Sequence, residues 1–340
     1  MPVGRRPSFD RVLGALWGVA VGDAAGLPYE GLSAARVARS FRGLDRYWLF
    51  GRRGVVSDDT EQTALVAQAL LRGSSDGECV ALLRRSLAGW FARLPFGVGG
   101  ATARACVRML WGAKETGIDS AGNGAAMRAG VLGIFVSNDE SRRRTLGRSM
   151  ARLTHRDVRA VEASLFVAEL SALAVHASPA EARGALVERA ASVLTHPELR
   201  SAIENALALG RKGAELSTAA QKLGTTGFCV HSMGLATYCF VRFGDAPADG
   251  IEAAIRAGGD TDTHAAIVGG WLGALHGASR LPTSLTTLLP RGPFGRAHLE
   301  DLAAALVRGG QAPRWSWPIA FARNVLLFPI ILAHGLARLV

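Results

Sequence analysis

Two clusters of oxygen-bearing side chains, Ser57-Asp58-Asp59-Thr60 and Gly258-Gly259-Asp260-Thr261-Asp262-Thr263, stand far apart in this chain. Each is followed at once by a small, apolar run that reads as a buried helix. Burying one ionised carboxylate costs several kcal/mol. Four of them aimed at apolar helices call for a cation between them. Carboxylate and hydroxyl oxygens are hard ligands that suit magnesium, manganese or calcium rather than zinc or copper. An ordinary helix cap needs only one Ser or Asp, so capping alone does not explain such a concentration. The two clusters therefore read as one site for one or two divalent metals.

Three further segments carry possible chemistry. In Gly18-Val19-Ala20-Val21-Gly22-Asp23-Ala24-Ala25-Gly26-Leu27-Pro28-Tyr29-Glu30, a glycine-rich helix is expected to end at Asp23 and break at Gly26 and Pro28, leaving Glu30 on a loop. Ser120-Ala121-Gly122-Asn123-Gly124-Ala125-Ala126-Met127-Arg128 reads as a tight turn opening a helix. Free amides at such a start suit a phosphate or diphosphate, and the missing Lys-Ser/Thr ending argues against a P-loop. Leu153-Thr154-His155 precedes the helical pattern Val158 to Val175.

The elements that must position these groups are helical. Apolar residues recur at helical spacing over Glu61 to Arg72, Val80 to Phe91, Thr102 to Trp111, Arg159 to His176, Pro179 to Leu194 and Ala265 to His276. Strand alternation is scarce, so an all-α protein is expected, a compact single domain over residues 9–312 with an apolar C-terminal helix or tail over 313–340. Gly14, Gly18 and Gly22 share one helix face, as do Gly269, Gly273 and Gly277. That spacing permits close backbone approach. Loops are expected at Arg42 to Gly54, Ser74 to Gly77, Pro95 to Gly100, Ala113 to Gly124, Lys212 to Gly227 and Leu281 to Gly295.

With 340 residues, 49% of them hydrophobic, the chain can fill a large core. Its net charge of +11 is almost all arginine, spread along the chain amid abundant Ala and Gly. This composition resembles that of a GC-rich genome, and nucleic acid is not the expected partner. Cys79, Cys106, Cys229 and Cys239 form no C-x-x-C pair and read as buried thiols of a reducing compartment. Met1 to Asp10 is polar and carries no leader pattern. The run Ile319 to Val340 is interrupted by Arg323, Asn324, Pro329, His334 and Arg338, leaving an uncharged part too short to span a bilayer. It reads as a helix packed on the domain, or as a surface-seeking amphipathic one.

Taken in order from about Gly14 to Gly277, these motifs resemble the ADP-ribosylglycohydrolase family: the glycine-rich start ending in Glu30, Ser-Asp-Asp-Thr, Gly-Asn-Gly-x-Ala-Met-Arg, Thr-His and Gly-Gly-Asp-Thr-Asp-Thr. The resemblance implies a compact all-α orthogonal bundle with a binuclear Mg2+ or Mn2+ centre in a cleft. It implies metal ligands at Ser57, Asp58, Asp59, Asp260, Asp262 and Thr263. It implies ADP-ribose contacts around Asn123, Gly124, Met127, Arg128 and His155, with Glu30 on a mobile loop over the site. The expected reaction is hydrolysis at an anomeric carbon through an oxocarbenium-like state, with Glu30, Asp58, Asp59 and Asp260 as catalytic groups. The expected substrate is an ADP-ribosylated protein or small molecule, and the expected protein is a cytoplasmic monomer.

One position departs from the family's pattern. Arginine-specific members carry an aspartate where Phe96-Gly97-Val98-Gly99-Gly100-Ala101-Thr102 has Gly97. The departure points away from an arginine linkage. It is also the main support for the competing reading, a non-catalytic relative that only holds ADP-ribose or a nucleotide.

Overall fold

The computed structural model describes residues 6–49 and 52–337. Residues 1–5 and Arg338, invoked above, lie outside the described residues, as do two positions of the first expected loop. Among the described residues seventeen α-helices follow one another: α1 Phe9–Gly26, α2 Ala34–Ser40, α3 Asp58–Arg72, α4 Asp76–Phe91, α5 Gly100–Leu110, α6 Gly130–Phe135, α7 Glu140–Arg152, α8 Val158–Ala174, α9 Arg183–Ala190, α10 Pro197–Arg211, α11 Leu216–Leu223, α12 Cys229–Phe243, α13 Pro247–Arg256, α14 Thr261–His276, α15 Thr283–Leu288, α16 Arg296–Arg308 and α17 Trp317–Ala337. Among the described residues there is no strand, only isolated bridges such as Ile118 with His155 and Gly122 with Phe228. All four cysteines are unpaired and buried.

The centre of the molecule is α1 packed on α14. From Val12 onward every residue of α1 is buried, and α14 is buried along nearly its whole length. A helix apolar all round belongs inside. The two glycine stripes face each other. A Cβ on Gly14 would lie 2.3 Å from the carbonyl oxygen of Gly273, one on Gly18 2.0 Å from that of Gly269, and one on Gly22 2.1 Å from that of Ala265. The helices therefore touch backbone to backbone. Gly277 ends α14 with φ +90° beside Asp10 while its backbone still meets the seam, its carbonyl carbon 2.6 Å from where a Cβ on Gly14 would lie. Around the seam, Trp271 of α14 takes Phe166 of α8 and Phe240 of α12 edge-on at 5.9 and 5.8 Å.

Several expectations need correction. Helix α1 runs on through Asp23 to Gly26. The expected loops Lys212 to Gly227 and Leu281 to Gly295 contain α11 and α15, short helices whose polar Ser, Thr and Lys masked their pattern. Part of the arginine charge is paired within the chain, as the spread of arginine along it allows: Arg142 with Asp76, Arg143 with Glu169, Arg144 with Glu140 and Glu169.

Helix α17 packs on the domain, but through its polar residues. Arg323 meets the buried Glu61, which also holds Arg93 at 2.6 Å. Asn324, fully buried, donates to the carbonyl of Arg93 at 3.0 Å. His334 reaches the carbonyl of Pro28 at 3.0 Å.

The seam gives a direct stability test. Gly18→Ala should cost about 1–3 kcal/mol or more, because the added methyl meets backbone that cannot move aside. Gly89→Ala in α4, where a Cβ meets nothing within 4 Å, should instead stabilise by roughly 0.4–1 kcal/mol. Urea unfolding of both variants checks the contrast, and equal effects would contradict a backbone-to-backbone seam.

Candidate metal centre and binding cleft

The first acidic cluster is set by a residue from another helix. Ser57 precedes α3 in an extended conformation and does not cap it with its own side chain. Asp23 of α1 does so instead. Its carboxylate accepts the amide N–H of Ser57 (3.0 and 2.9 Å) and of Thr60 (3.1 Å), and both hydroxyls, that of Ser57 at 2.8 Å. With the cap supplied from outside, Asp58 and Asp59 are released from that task. Burial pushes the Asp23 carboxyl up to about 6, against hydrogen bonds that favour its charge.

The second cluster is turned into place by Gly258 and Gly259, whose φ values of +76° and +78° suit glycine alone. A Cβ on Gly259 would also lie 1.9 Å from the carbonyl of Thr225. Asp260 then precedes α14, and Asp262 and Thr263 occupy its first turn. The hydroxyl of Thr263 donates to Asp59 at 3.2 Å, joining the two clusters. Glu30 completes the group: one carboxylate oxygen each from Glu30, Asp260 and Asp262 fall within 4.8 Å of one another. The loop bearing Glu30 is tied down rather than hanging free. Gly31 N–H donates to Gly259 at 2.7 Å and Gly259 N–H to Leu32 at 2.8 Å.

Two helix N-termini, those of α3 and α14, point their positive ends at this group. They do not balance it. Burial drives Asp58 well above the usual carboxylate range, and Asp59, Asp23, Glu30 and Asp260 push it further the same way. Asp59 and Asp262 are raised likewise, first by burial and then by neighbouring carboxylates. Asp59 Oδ1 is buried without a hydrogen-bond partner. The hydroxyls of Ser57 and Thr263 direct their protons at Asp23 and Asp59, which leaves their lone pairs for another partner. An orphaned carboxylate oxygen, two hydroxyl lone pairs and mutually repelling acids are the donor set of a hard divalent cation.

Beside this group lies a cleft of 520 Å³, lined by Glu30, Asp58, Asp260, Asp262 and Thr263 together with Asn123, Gly124, Met127 and His155. Gly97, Thr102, Ser120 and Thr226 also line it. Ser57, Asp59 and Arg128 do not. Asn123 donates to Asp260 at 2.6 Å and to Ser232 at 2.9 Å, so it orients a cluster carboxylate. Its own amide is bonded to Gly227, and its helix opening is a single 3-10 turn, shorter than the expected helix start. Arg128 lies behind the wall rather than in the cleft. Its guanidinium binds Gln62 (2.6 Å), the Gly124 carbonyl (3.2 Å) and Thr154 (2.7 Å). Gln62 in turn donates to Asp58 at 3.1 Å.

This chain also fixes His155. Thr154 Oγ1 accepts from Arg128 and shares a hydrogen bond of 2.9 Å with His155 Nδ1; with the threonine as its donor, the ring proton belongs on Nε2. Nε2 lies beside Gly122 and Gly124. Burial, and next the Arg128 charge, lower His155 to about 3, so it faces the cleft as a neutral donor.

A family model described as ADP-ribosylglycohydrolase matches residues 5–315. The chain belongs to the ADP-ribosylglycohydrolase family. It is 35% identical over 128 residues to the ADP-ribosyl-[dinitrogen reductase] glycohydrolase of Rhodospirillum rubrum, covering 35% of this chain and 42% of that one. It is 27% identical to the uncharacterized protein YegU of Escherichia coli K12, over 81% of this chain and 90% of that one. An uncharacterized Archaeoglobus fulgidus protein is 30% identical over 85% and 93%. A solved chain described as part of an ADP-ribosylglycohydrolase-related protein complex superposes with a TM-score of 0.69 at 30% identity, covering 88% of this chain and 98% of that one.

Within this ADP-ribosylglycohydrolase fold, Gly97 has φ +73°, and a Cβ there would lie 2.7 Å from Asp58 Oδ1. The local backbone lets the loop approach a cluster carboxylate with no side chain between. Asp23, Gln62, Thr154 and Ser232 are the positioning residues that sequence reasoning left out of the site. Asp23, Gln62 and Thr154 stand in or beside the quoted motifs, so adjacency was the available signal.

The raised carboxyls fix a pH dependence. The folded state of the metal-free protein holds protons on Asp58, Asp59 and Asp262 that the unfolded chain has released above its ordinary value of 3.8. Stability from these groups is therefore full at low pH and lost as pH rises through the folded values. Below about 6.5 the buried histidines, with lowered values such as that of His155, oppose this trend. The carboxyl effect stands alone above it. The melting temperature in chelator should fall as pH rises through the folded values of these carboxyls, and added Mn2+ should raise it more at the higher pH. A metal-free melting temperature that rises with pH through those values would contradict the cluster electrostatics.

Proposed function

We propose that this family member is a Mg2+- or Mn2+-dependent hydrolase. It cleaves the bond joining the anomeric carbon of ADP-ribose to a neutral, oxygen-linked acceptor on a protein or small molecule. The observation that carries the reading is the convergence of two distant acidic clusters in the lining of a 520 Å³ cleft, beside neutral donors. The name of the R. rubrum relative supports ADP-ribosyl hydrolysis as the reaction class.

Ser57, Asp58, Asp59, Asp260, Asp262 and Thr263 would hold the ions. Bound divalent ions supply positive charge for ribose hydroxyls and lower the pKa of water. Glu30, at the cluster's edge, is placed to take a proton from water or to stabilise positive charge developing at the anomeric carbon. His155 Nε2–H offers a neutral hydrogen bond to a substrate oxygen, and Asn123 keeps Asp260 oriented. Met127 gives the ligand an apolar surface. At position 97 no carboxylate is present to pair with a cationic, planar guanidinium. The four unpaired cysteines support a cytoplasmic setting.

A panel of serine-linked and arginine-linked ADP-ribosyl peptides and O-acetyl-ADP-ribose, each with Mg2+, Mn2+ or chelator, tests the reading. Metal-dependent release of ADP-ribose is expected, faster from oxygen linkages. Asp260→Asn should lower metal affinity and turnover together, turnover by about 10²–10⁴-fold. Free ADP-ribose at a hundredfold excess over its Kd should stabilise the protein by about 2.7 kcal/mol. Turnover indifferent to chelator would overturn the metal role, and faster release from arginine would overturn the reading of Gly97. Binding without any turnover would establish the non-catalytic alternative.

A further inference from the structure

Helix α17 lies beyond the family match and turns its apolar side to solvent. Between Trp317 and Gly335, every exposed position carries an apolar residue. Leu326 is 74% exposed, Ile319 60%, Leu332 53% and Phe328 52%. The same stretch has a mean hydropathy of 1.4. A helix that only needed to pack on the domain would bury those residues and expose Arg323, Asn324 and His334. Here the polar residues face in, tied to Glu61, the Arg93 carbonyl and the Pro28 carbonyl. These ties hold α17 along the protein surface, so it does not cross a bilayer while they persist.

The surroundings say what fits this face. The chain has no Asp or Glu after Asp301, and none between Glu78 and Glu115. Those two stretches meet at α17: Trp317 donates to the Gly89 carbonyl, and Phe328 packs on Phe96 at 6.4 Å between ring centres. Arg85 and Arg314 are exposed there. Leu94, 54% exposed at φ +57°, adds to the apolar surface. An apolar stripe with exposed arginines beside it, and with Glu61 buried and paired beneath it, complements an anionic lipid surface, which attracts arginine and accepts apolar side chains at its acyl boundary. A second copy fits less well. The stripe is about 30 Å long and about 10 Å wide, roughly 300 Å², against about 800 Å² per partner for a stable interface.

We propose that α17 is a monotopic docking face that seats the protein on anionic membrane surfaces. Seating would place the neighbouring Phe96–Gly97 rim of the cleft close to the lipid headgroups. The test is co-sedimentation of the full chain with phosphatidylcholine vesicles with and without phosphatidylglycerol. Binding should require the anionic lipid and weaken with salt. The double variant Ile319→Glu, Leu326→Glu should lower partitioning by at least about tenfold while melting temperature stays unchanged. Three results would overturn the proposal: no sedimentation with anionic vesicles, sedimentation indifferent to the double variant, or a dimer by light scattering that the variant dissociates while vesicles are ignored.

Discussion

The structure depends on α1 and α14 lying with their backbones in contact. Opposed glycines make that approach possible, and the seam ends at the acidic site. A Cβ on Gly26 would lie 2.5 Å from Asp262 Cα, and Thr261 donates its hydroxyl to the Gly26 carbonyl at 2.9 Å. The seam therefore sets the depth at which Asp23 meets α3 and Asp262 meets Asp59. Packing and chemistry are here one constraint, and the close approach is the reason glycine stands at these helix positions despite its cost of about 1 kcal/mol each.

The site is a set of like charges held together by neutral donors. Asp23 takes the cap of α3, Thr263 bridges to Asp59, and Asn123 donates to Asp260. A guanidinium close by, that of Arg128, bonds Gln62 and Thr154 rather than a carboxylate. It aligns the lining of the cleft through neutral partners and leaves the acidic cluster uncompensated. Burial lowers even Arg128 to about 10. An arrangement that withholds this cation from the acids leaves their charge available to a bound one.

Much of this was legible in the sequence because it rests on local features. Acidic residues at two helix starts, glycines at every fourth place and long apolar periodicities each report their own surroundings. Thus α3, α4, α5, α8 and α14 were expected within a few residues of where they stand. What escaped depends on partners distant in the chain. Asp23 reads as a helix end until α3 is seen resting on it. Arg128 reads as a ligand contact until Gln62 and Thr154 are seen to enclose it. Helix α17 reads as packed on the domain or as surface-seeking, and the buried Glu61 shows why its polar side turns inward.

The central claim is that the two acidic clusters form one divalent-cation site. Anomalous diffraction from crystals of the metal-free protein soaked in Mn2+ tests it most directly. The account predicts anomalous density between the Asp58–Asp59 pair and the Asp260–Asp262 pair, within bonding distance of Thr263 and Asp59 Oδ1. Density confined to the protein surface, with the acidic cluster bare at saturating Mn2+, would contradict it.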